Sequence, residues 1–286
     1  MNKGKRVLLT GANGFTGRYL YNVLCAAGFQ VIPMTHSPTG FPDEVVVDFC
    51  SANFLARVWQ LPPVDVVIHL GARIGWNGGT RADLFKPNVL TTAELAQWAQ
   101  EQQAYFIFAS AALIAGPQNP YITAETGFQL LTANHYLYSK WLAEQMITMS
   151  GVSATILRIA GIFGHNGPSH LGINQAINEA LKGNPPVLYG TGEFKRNYIY
   201  VKDLCAIIQW LINNPLPGTH LVAGTFQNTL AEMVEMICQI LLPAKQPEIR
   251  ADSGGYHQII APSPLLPPGR TFEEALKDIA NNFKPI

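Results

Sequence analysis

The stretch NHYLYSK (134–140) holds two side chains whose types and spacing could move a proton. Tyr136 and Lys140 stand four residues apart, so on a helix they share one face and can cooperate. A phenol left to itself has a pKa of about 10, and a nearby ammonium favours its ionised form. The pair alone fits two ordinary helical residues equally well, so the surrounding elements must supply the context.

A second chemical feature is TGANGFTG (10–17), with glycines at 11, 14 and 17. It follows the apolar run RVLLTG (6–11) and opens a helical pattern, GRYLYNVLCAAG (17–28), which Gly28 could end as a C-terminal cap. In such a loop Gly11 permits the tight turn, Gly14 the approach of a pyrophosphate, and Gly17 close helix–strand packing. The anion would rest on the helix N-terminus, among Asn13, Phe15 and Thr16. The spacing is GxxGxxG, not the commoner GxGxxG, and a simple turn is the alternative.

The second strand, QVIPM (30–34), should end near the adenosine ribose. A carboxylate there would bind the 2′-hydroxyl of NAD. PMTHSP (33–38) has none, which favours NADP, with His36, Ser37 and Arg18 near the 2′-phosphate. A neutral loop that ignores the ribose fits the same residues. Asp48, closing EVVVDF (44–49) before Phe49, could accept a hydrogen bond from adenine or be a solvated strand-end aspartate.

These features need a scaffold, and the chain alternates strand and helix. VDVVIHLGA (64–72) and YFIFAS (105–110) read as strands buried on both faces. Between them NVLTTAELAQWAQEQQ (88–103) repeats Leu90, Leu95 and Trp98 at helical spacing. ATILRIAG (154–161) and HLVAG (220–224) read as late strands. The expected architecture is α/β: a Rossmann-type doubly wound parallel sheet with a smaller C-terminal substrate lobe. The expected partition is 1–160 plus about 198–224 for the dinucleotide domain, and about 161–197 plus 225–286, richer in Pro and Gly, for the lobe.

The composition sets limits. Of 286 residues 48% are apolar and 13% charged, with zero formal net charge. That describes a folded, core-rich chain with no electrostatic footprint for nucleic acid or an anionic membrane. Cys25, Cys50, Cys205 and Cys238 form no CxxC pair, so reduced thiols and a cytoplasmic location are expected. The first apolar run is too short for a signal peptide, and no later run could span a bilayer. His165 and His170 lack carboxylate partners, so no metal is expected.

Taken in order, TGANGFTG, Asp48 after VVV, HLGA (69–72) and Tyr136-x-x-x-Lys140 resemble the extended short-chain dehydrogenase/reductases, the NAD-dependent epimerase/dehydratase family. LRIAGIFG (157–164) resembles the family's LRxxNxYG, and KRNYIYVKDL (195–204) its RDFIHVDDL. The resemblance implies a nicotinamide cofactor and, most commonly, a nucleotide-linked sugar. It implies Tyr136 as acid/base, with Lys140 holding the nicotinamide ribose and drawing the phenol toward working pH. It adds Leu70, Gly71, Ala72 and Ala109 to the cofactor contacts. On the substrate side it implies Arg73 in the cleft, Arg196 on a pyrophosphate, and Arg250 with Asp252 on the nucleotide; each arginine fits a solvated surface position as well.

The pattern also breaks. In FASAALIAG (108–116), Ser110 falls at the family's first serine and Ala111 at the catalytic one. Ser110 could shift to serve, Thr123 or a water could replace the donor, or the enzyme could be slow or retired. Ala112 and Leu113 stand where sugar 4,6-dehydratases carry Asp and Glu, which removes that reaction, and the Cys of fucose-nucleotide epimerase–reductases is absent. The family Asn that contacts sugar phosphate falls at Gly161. What remains is 4-epimerisation or ketosugar reduction. The alternatives are a catalytically impaired NAD(P)-binding sensor or scaffold, or a reductase of a non-sugar carbonyl. The resemblance further implies a homodimer through helices near 88–103 and 134–149, with Trp141, Leu142 and Met146 at the seam or packed on the chain's own sheet.

Overall fold

The computed structural model describes residues 4–75, 80–129, 134–251 and 255–283. The apolar runs become strands β1 (Arg6–Thr10), β2 (Gln30–Thr35), β3 (Val45–Val46), β4 (Val66–His69), β5 (Tyr105–Ala111), β6 (Ala154–Ile159) and β7 (Gly218–Val222). They form one sheet in the order β7-β6-β5-β4-β1-β2-β3. The pairings β3–β2, β2–β1, β1–β4 and β4–β5 are parallel. Strands covered on both faces must be apolar throughout: Val7, Leu8, Leu9, Val67, Ile68 and Phe106 to Phe108 are all fully buried. The strand order reverses between β1 and β4, and ligands of open α/β sheets bind beyond the strand ends at such a point.

The helices α1 (Phe15–Ala26), α2 (Phe54–Trp59), α3 (Arg81–Phe85), α4 (Thr91–Glu101) and α5 (His135–Ser150) connect these strands. Helix α1 starts two residues earlier than its apolar pattern implied. Gly28 ends it as expected, at φ +83°: its N–H donates to Cys25 O (3.0 Å) while Phe29 N–H donates to Leu24 O (3.1 Å). The single helix expected over 88–103 is instead α3 and α4 joined by a π-helical turn, Lys86–Leu90. Pro87 lies in that turn and has no N–H to offer the ladder, so one extra residue is accommodated there. The third strand is shorter than the expected 44–49, because only Val45 and Val46 pair, with Met34 and Thr35. For α5, the Asn134 side chain accepts from Leu137 N–H (3.0 Å) at the start, and Gly151 at φ +73° stops it.

The chain divides into two compact units. One comprises 1–116, 127–158 and 205–220; the other comprises 117–126, 159–204 and 221–286. The two units depart from the expected partition at 117–126, 159–160, 198–204 and 221–224, which go with the second unit. The reason is local pairing: Tyr121–Ile122 runs parallel to Ile259–Ile260, and Ile199–Tyr200 parallel to Ile162–Phe163. Buried Asn197 ties the second unit together. Its amide donates to Gly224 O (2.9 Å) and Ile260 O (2.8 Å), and its carbonyl accepts from Ile260 N–H (3.0 Å). Among the described residues no helix is long and apolar enough to cross a membrane.

Candidate active site

The glycine loop sits where β1 meets α1. Gly11 adopts φ +69°, and a Cβ there would lie 2.7 Å from Gly71 N, so the loops after β1 and β4 touch backbone to backbone. A Cβ on Gly17 would lie 2.1 Å from Gly11 O, so only glycine lets the helix approach the loop. The fold therefore accounts for both residues. Exposed Gly14 is different: its φ is −70°, and a Cβ would meet only Gly11 O, at 3.2 Å. The chain therefore presses for glycine far less at 14 than at 11 or 17, and the exposed helix end leaves room for a ligand to approach. The first turn of α1 has no acidic residue and no side-chain cap, so its N–H groups remain for an anion. Asn13 is held by Arg18, whose Nε donates to Asn13 O (3.2 Å) and whose Nη2 bonds the Asn13 side chain. These residues fit a dinucleotide pyrophosphate.

The end of β2 departs from expectation in one respect. A carboxylate does lie there, contributed by Glu44 from the far side of the turn. Glu44 accepts from the Thr39 hydroxyl, Thr39 N–H (2.9 Å), Thr35 Oγ1 (2.7 Å) and Gly40 N–H (3.1 Å), and these bonds hold its carboxyl down at about 2. His36 is exposed, with Ser37 Oγ 3.5 Å from its Nδ1. Asp48, also exposed, accepts from Cys50 N–H (2.8 Å). The Phe49 ring packs on Phe54 and His69, where a Cβ on Gly71 would meet it at 2.7 Å.

His69 was missed by motif reading, although it stands in HLGA, and it joins the glycine loop to α4. Thr10 Oγ1 accepts from Gly71 N–H (3.1 Å), which leaves its proton for His69 Nδ1 (2.7 Å). The imidazole then donates from Nε2 to Thr92 Oγ1 (2.9 Å), and Thr92 donates to Asn88 O (2.7 Å). Full burial and the charge of Lys140 push His69 down to about 3, so it is neutral and this tautomer is fixed. From the π-helical turn, Asn88 donates to Arg73 O (2.9 Å) and Ser139 Oγ (2.9 Å), and Ser139 donates to Tyr136 O (2.7 Å). A continuous polar chain thus runs from the loop to the helix of Tyr136. The Arg73 side chain is exposed, as are parts of Leu70 and Ala72.

Tyr136 and Lys140 occupy one face of α5. The phenol of Tyr136 has no hydrogen-bond partner among the described residues. The residue keeps some surface, yet its hydroxyl is desolvated, and burial pushes it up to about 12. The expected pull toward working pH involved a nicotinamide ring as well as Lys140, and burial alone sets the phenol here; Lys140 is itself held down to about 7 by burial, against the charge of Glu144. Lys140 is 2% exposed, with its Nζ 4.2 Å from the centre of the Phe108 ring. Between about pH 7 and 10 an unfolded chain keeps a lysine proton that the folded chain has shed, so stability should rise with pH. Above pH 10 the raised phenol reverses the sign. Unfolding midpoints at pH 7 and 9 should show the rise in the parent and not in Lys140→Met; equal slopes would refute it.

Ser110 does not stand free. Its hydroxyl donates to Glu144 (2.5 Å), and Arg158 grips the same carboxylate through Nε (3.1 Å) and Nη2 (2.8 Å). A serine has one proton to give, so here it is not available to a substrate oxygen. Ala109 and Ala111, alternating with it on β5, are half-buried. Neither Glu144 nor Arg158 was singled out by motif; the i, i+4 placement of Glu144 after Lys140 was the available signal.

The remaining expected residues belong to the second unit. Thr123 Oγ1 lies 3.3 Å from Thr126 Oγ1 in a local turn. Gly161 carries no side chain because the Tyr198 ring fills its place, 2.7 Å from where a Cβ would be. Arg196 donates to Gln258 Oε1 (3.2 Å) and lies 5.0 Å over the Tyr256 ring. Exposed Arg250 is occupied by Glu248 on its own strand (3.1 Å twice), and Asp252 lies outside the described residues. Burial pushes His165 and His170 down, and among the described residues no His/Cys/Asp/Glu cluster could hold a metal.

Sheet order and glycine loop define a Rossmann-type fold. The chain belongs to the NAD dependent epimerase/dehydratase family, whose model matches residues 7–224. It is 25% identical over 268 residues to UDP-glucuronic acid decarboxylase 2 of Arabidopsis thaliana, covering 88% of this chain and 60% of that protein's length. Its structure is similar to that of UDP-N-acetylglucosamine 4-epimerase from Bacillus cereus (TM-score 0.84, 22% identity, 97% and 99% of the two chains). It is also similar to UDP-glucuronic acid 4-epimerase from the same organism, in complex with NAD (TM-score 0.78, 18% identity, 96% and 97%).

Proposed function

We propose that this chain is an NAD(P)-dependent enzyme acting on a nucleotide-linked sugar, by 4-epimerisation or ketosugar reduction. One observation carries the reading. A single unit holds both a glycine cradle at the sheet's switch point and the unpartnered Tyr136 phenol one turn from buried Lys140. A bound nicotinamide would supply hydride exchange and, when oxidised, a positive ring beside the phenol. Tyr136 would then give or take the proton of the sugar's reacting oxygen, with Lys140 holding the ribose. Gly11, Gly14 and Gly17 would admit the pyrophosphate, and Leu70, Gly71, Ala72 and Ala109 would line the cofactor. In this reading Arg196, pre-oriented by Gln258, is the first candidate for the diphosphate. Relatives that act on UDP-sugars support the substrate class.

The test is to denature the purified protein and identify any released dinucleotide by mass and absorbance. Stoichiometric NAD would mark an epimerase that returns its hydride within each turnover. Preferential uptake of NADPH would mark a reductase and support an NADP preference, which rests on Glu44, the carboxylate at the end of β2, being spent on its own loop. Binding of neither would sink the enzyme reading. Ala111 and the captured Ser110 proton favour one second reading, a dinucleotide-binding sensor or scaffold, in which the cofactor's redox state stays unchanged with every sugar nucleotide.

The proposed assembly is a homodimer in the cytoplasm. α4 and α5 pack together and leave Met149 78% exposed, near Met146, Gln97 and Gln100 along their groove. Trp141 is partly covered by Phe128, stacked at 4.2 Å. Light scattering at micromolar concentration should return twice the 31.3 kDa chain mass; a monomer would exclude the pairing.

A further inference from the structure

Glu144 is 2% exposed and ionisable, and the proposed chemistry does not use it. A buried carboxylate needs partners, because a charge left unpaired away from water is strongly destabilising. Its direct partners come from two neighbouring strands: Ser110 on β5 and Arg158 on β6. It also lies four residues after Lys140, on the same buried face of α5, and its charge acts on that lysine. One carboxylate therefore binds a guanidinium and a hydroxyl directly and stands one helical turn from a buried lysine.

The elements packed on α5 carry other charged groups: Arg81 and Asp83 on α3, Lys86 in the π-helical turn, and Glu94 and Glu101 on α4. The charge that acts on Lys140 is that of Glu144; His69, at the end of β4, is neutral. Tyr105 on β5 is engaged with Thr155 and Leu216 N–H, and Tyr136 lies one turn earlier on α5 itself.

We propose that Glu144 is a positioning residue that decides which polar group of this wall is available for chemistry: one helical turn from Lys140 it favours the protonated amine there, and it takes the Ser110 proton away from the reacting oxygen. Arg158 sets the strength of that hold by sharing the carboxylate. The role of Lys140 rests on the enzyme reading above, but the proposal is tested without cofactor or substrate, so the two can fail separately.

The experiment is an NMR titration of protein carrying ¹³C-labelled lysine side chains, with the Lys140 signal assigned by its loss in Lys140→Met. Glu144→Gln, which keeps the shape and removes the charge, should lower the Lys140 midpoint by about one unit or more. Arg158→Gln releases the carboxylate from its competitor and should raise it. A general loosening of the fold would move both variants the same way. Unchanged midpoints, or shifts of equal sign, overturn the proposal. A chain that fails to fold with either substitution assigns the pair to the fold alone and overturns it as well.

Discussion

Tyr136→Phe should abolish most turnover while leaving the dinucleotide bound and the fold intact. Only one oxygen is removed, and that oxygen has no partner among the described residues, so no hydrogen bond among them is broken. The stability change should therefore stay within about 0.5 kcal/mol. The catalytic loss should be large, because a positioned acid/base contributes about 10²–10⁴ in rate. The desolvated phenol, pushed up to about 12, holds its proton tightly in the cofactor-free protein, so it is suited to donate until a positive charge arrives beside it. The check is kcat with a panel of UDP-sugars, beside a dinucleotide titration of the same variant. A phenylalanine variant with parental kcat would remove Tyr136 from the mechanism. Loss of cofactor binding together with activity would make the residue structural.

Gly17→Ala should damage both the fold and dinucleotide binding, whereas Gly14→Ala should damage binding alone. At position 17 the added methyl would sit 2.1 Å from Gly11 O and 2.8 Å from the Cα of Ala12. Both obstacles are backbone, so α1 has to move away from the loop. Overpacking of this kind costs about 1–3 kcal/mol or more. At position 14 the backbone is ordinary and the nearest atom, Gly11 O, is 3.2 Å away, so the fold loses the N-cap preference of glycine over alanine and gives by a few tenths of an ångström, together about 1 kcal/mol. A methyl at that point stands in the way of a pyrophosphate and should weaken dinucleotide binding about tenfold or more, equivalent to about 1.4 kcal/mol. Thermal unfolding and fluorescence titration of the two variants separate these effects. Unchanged affinity in Gly14→Ala would mean that the loop is not the cradle, and a parental Tm in Gly17→Ala would contradict the helix–loop contact.

The sheet and the loop were legible because their signals are local. A fully buried strand must be apolar along its length, and VLL, VVI and FIF can hardly be anything else. Gly11 and Gly17 are required by a turn and a contact within seven residues of each other. Tyr136 and Lys140 share a face through helical periodicity alone. The π-helical turn was less legible, because Pro87 announces a disturbance without saying whether the helix ends or continues.

What the sequence determined by itself was the order of elements, the glycine cradle and the Tyr136–Lys140 register. Only the tertiary structure decided how those groups are charged and bonded. Ser110 is a free hydroxyl on paper, yet its proton goes to a glutamate 34 residues away. The carboxylate at the end of β2 arrives from Glu44, nine residues beyond Thr35, and is spent on holding the loop. His69 is fixed in one tautomer by threonines from two other elements, and residues 117–126 join the second unit through a strand pair more than 130 residues apart in sequence. The physical reason is common to all four. Hydrogen-bond partners and loss of solvent depend on which elements share a wall, and that proximity has no local trace in the chain.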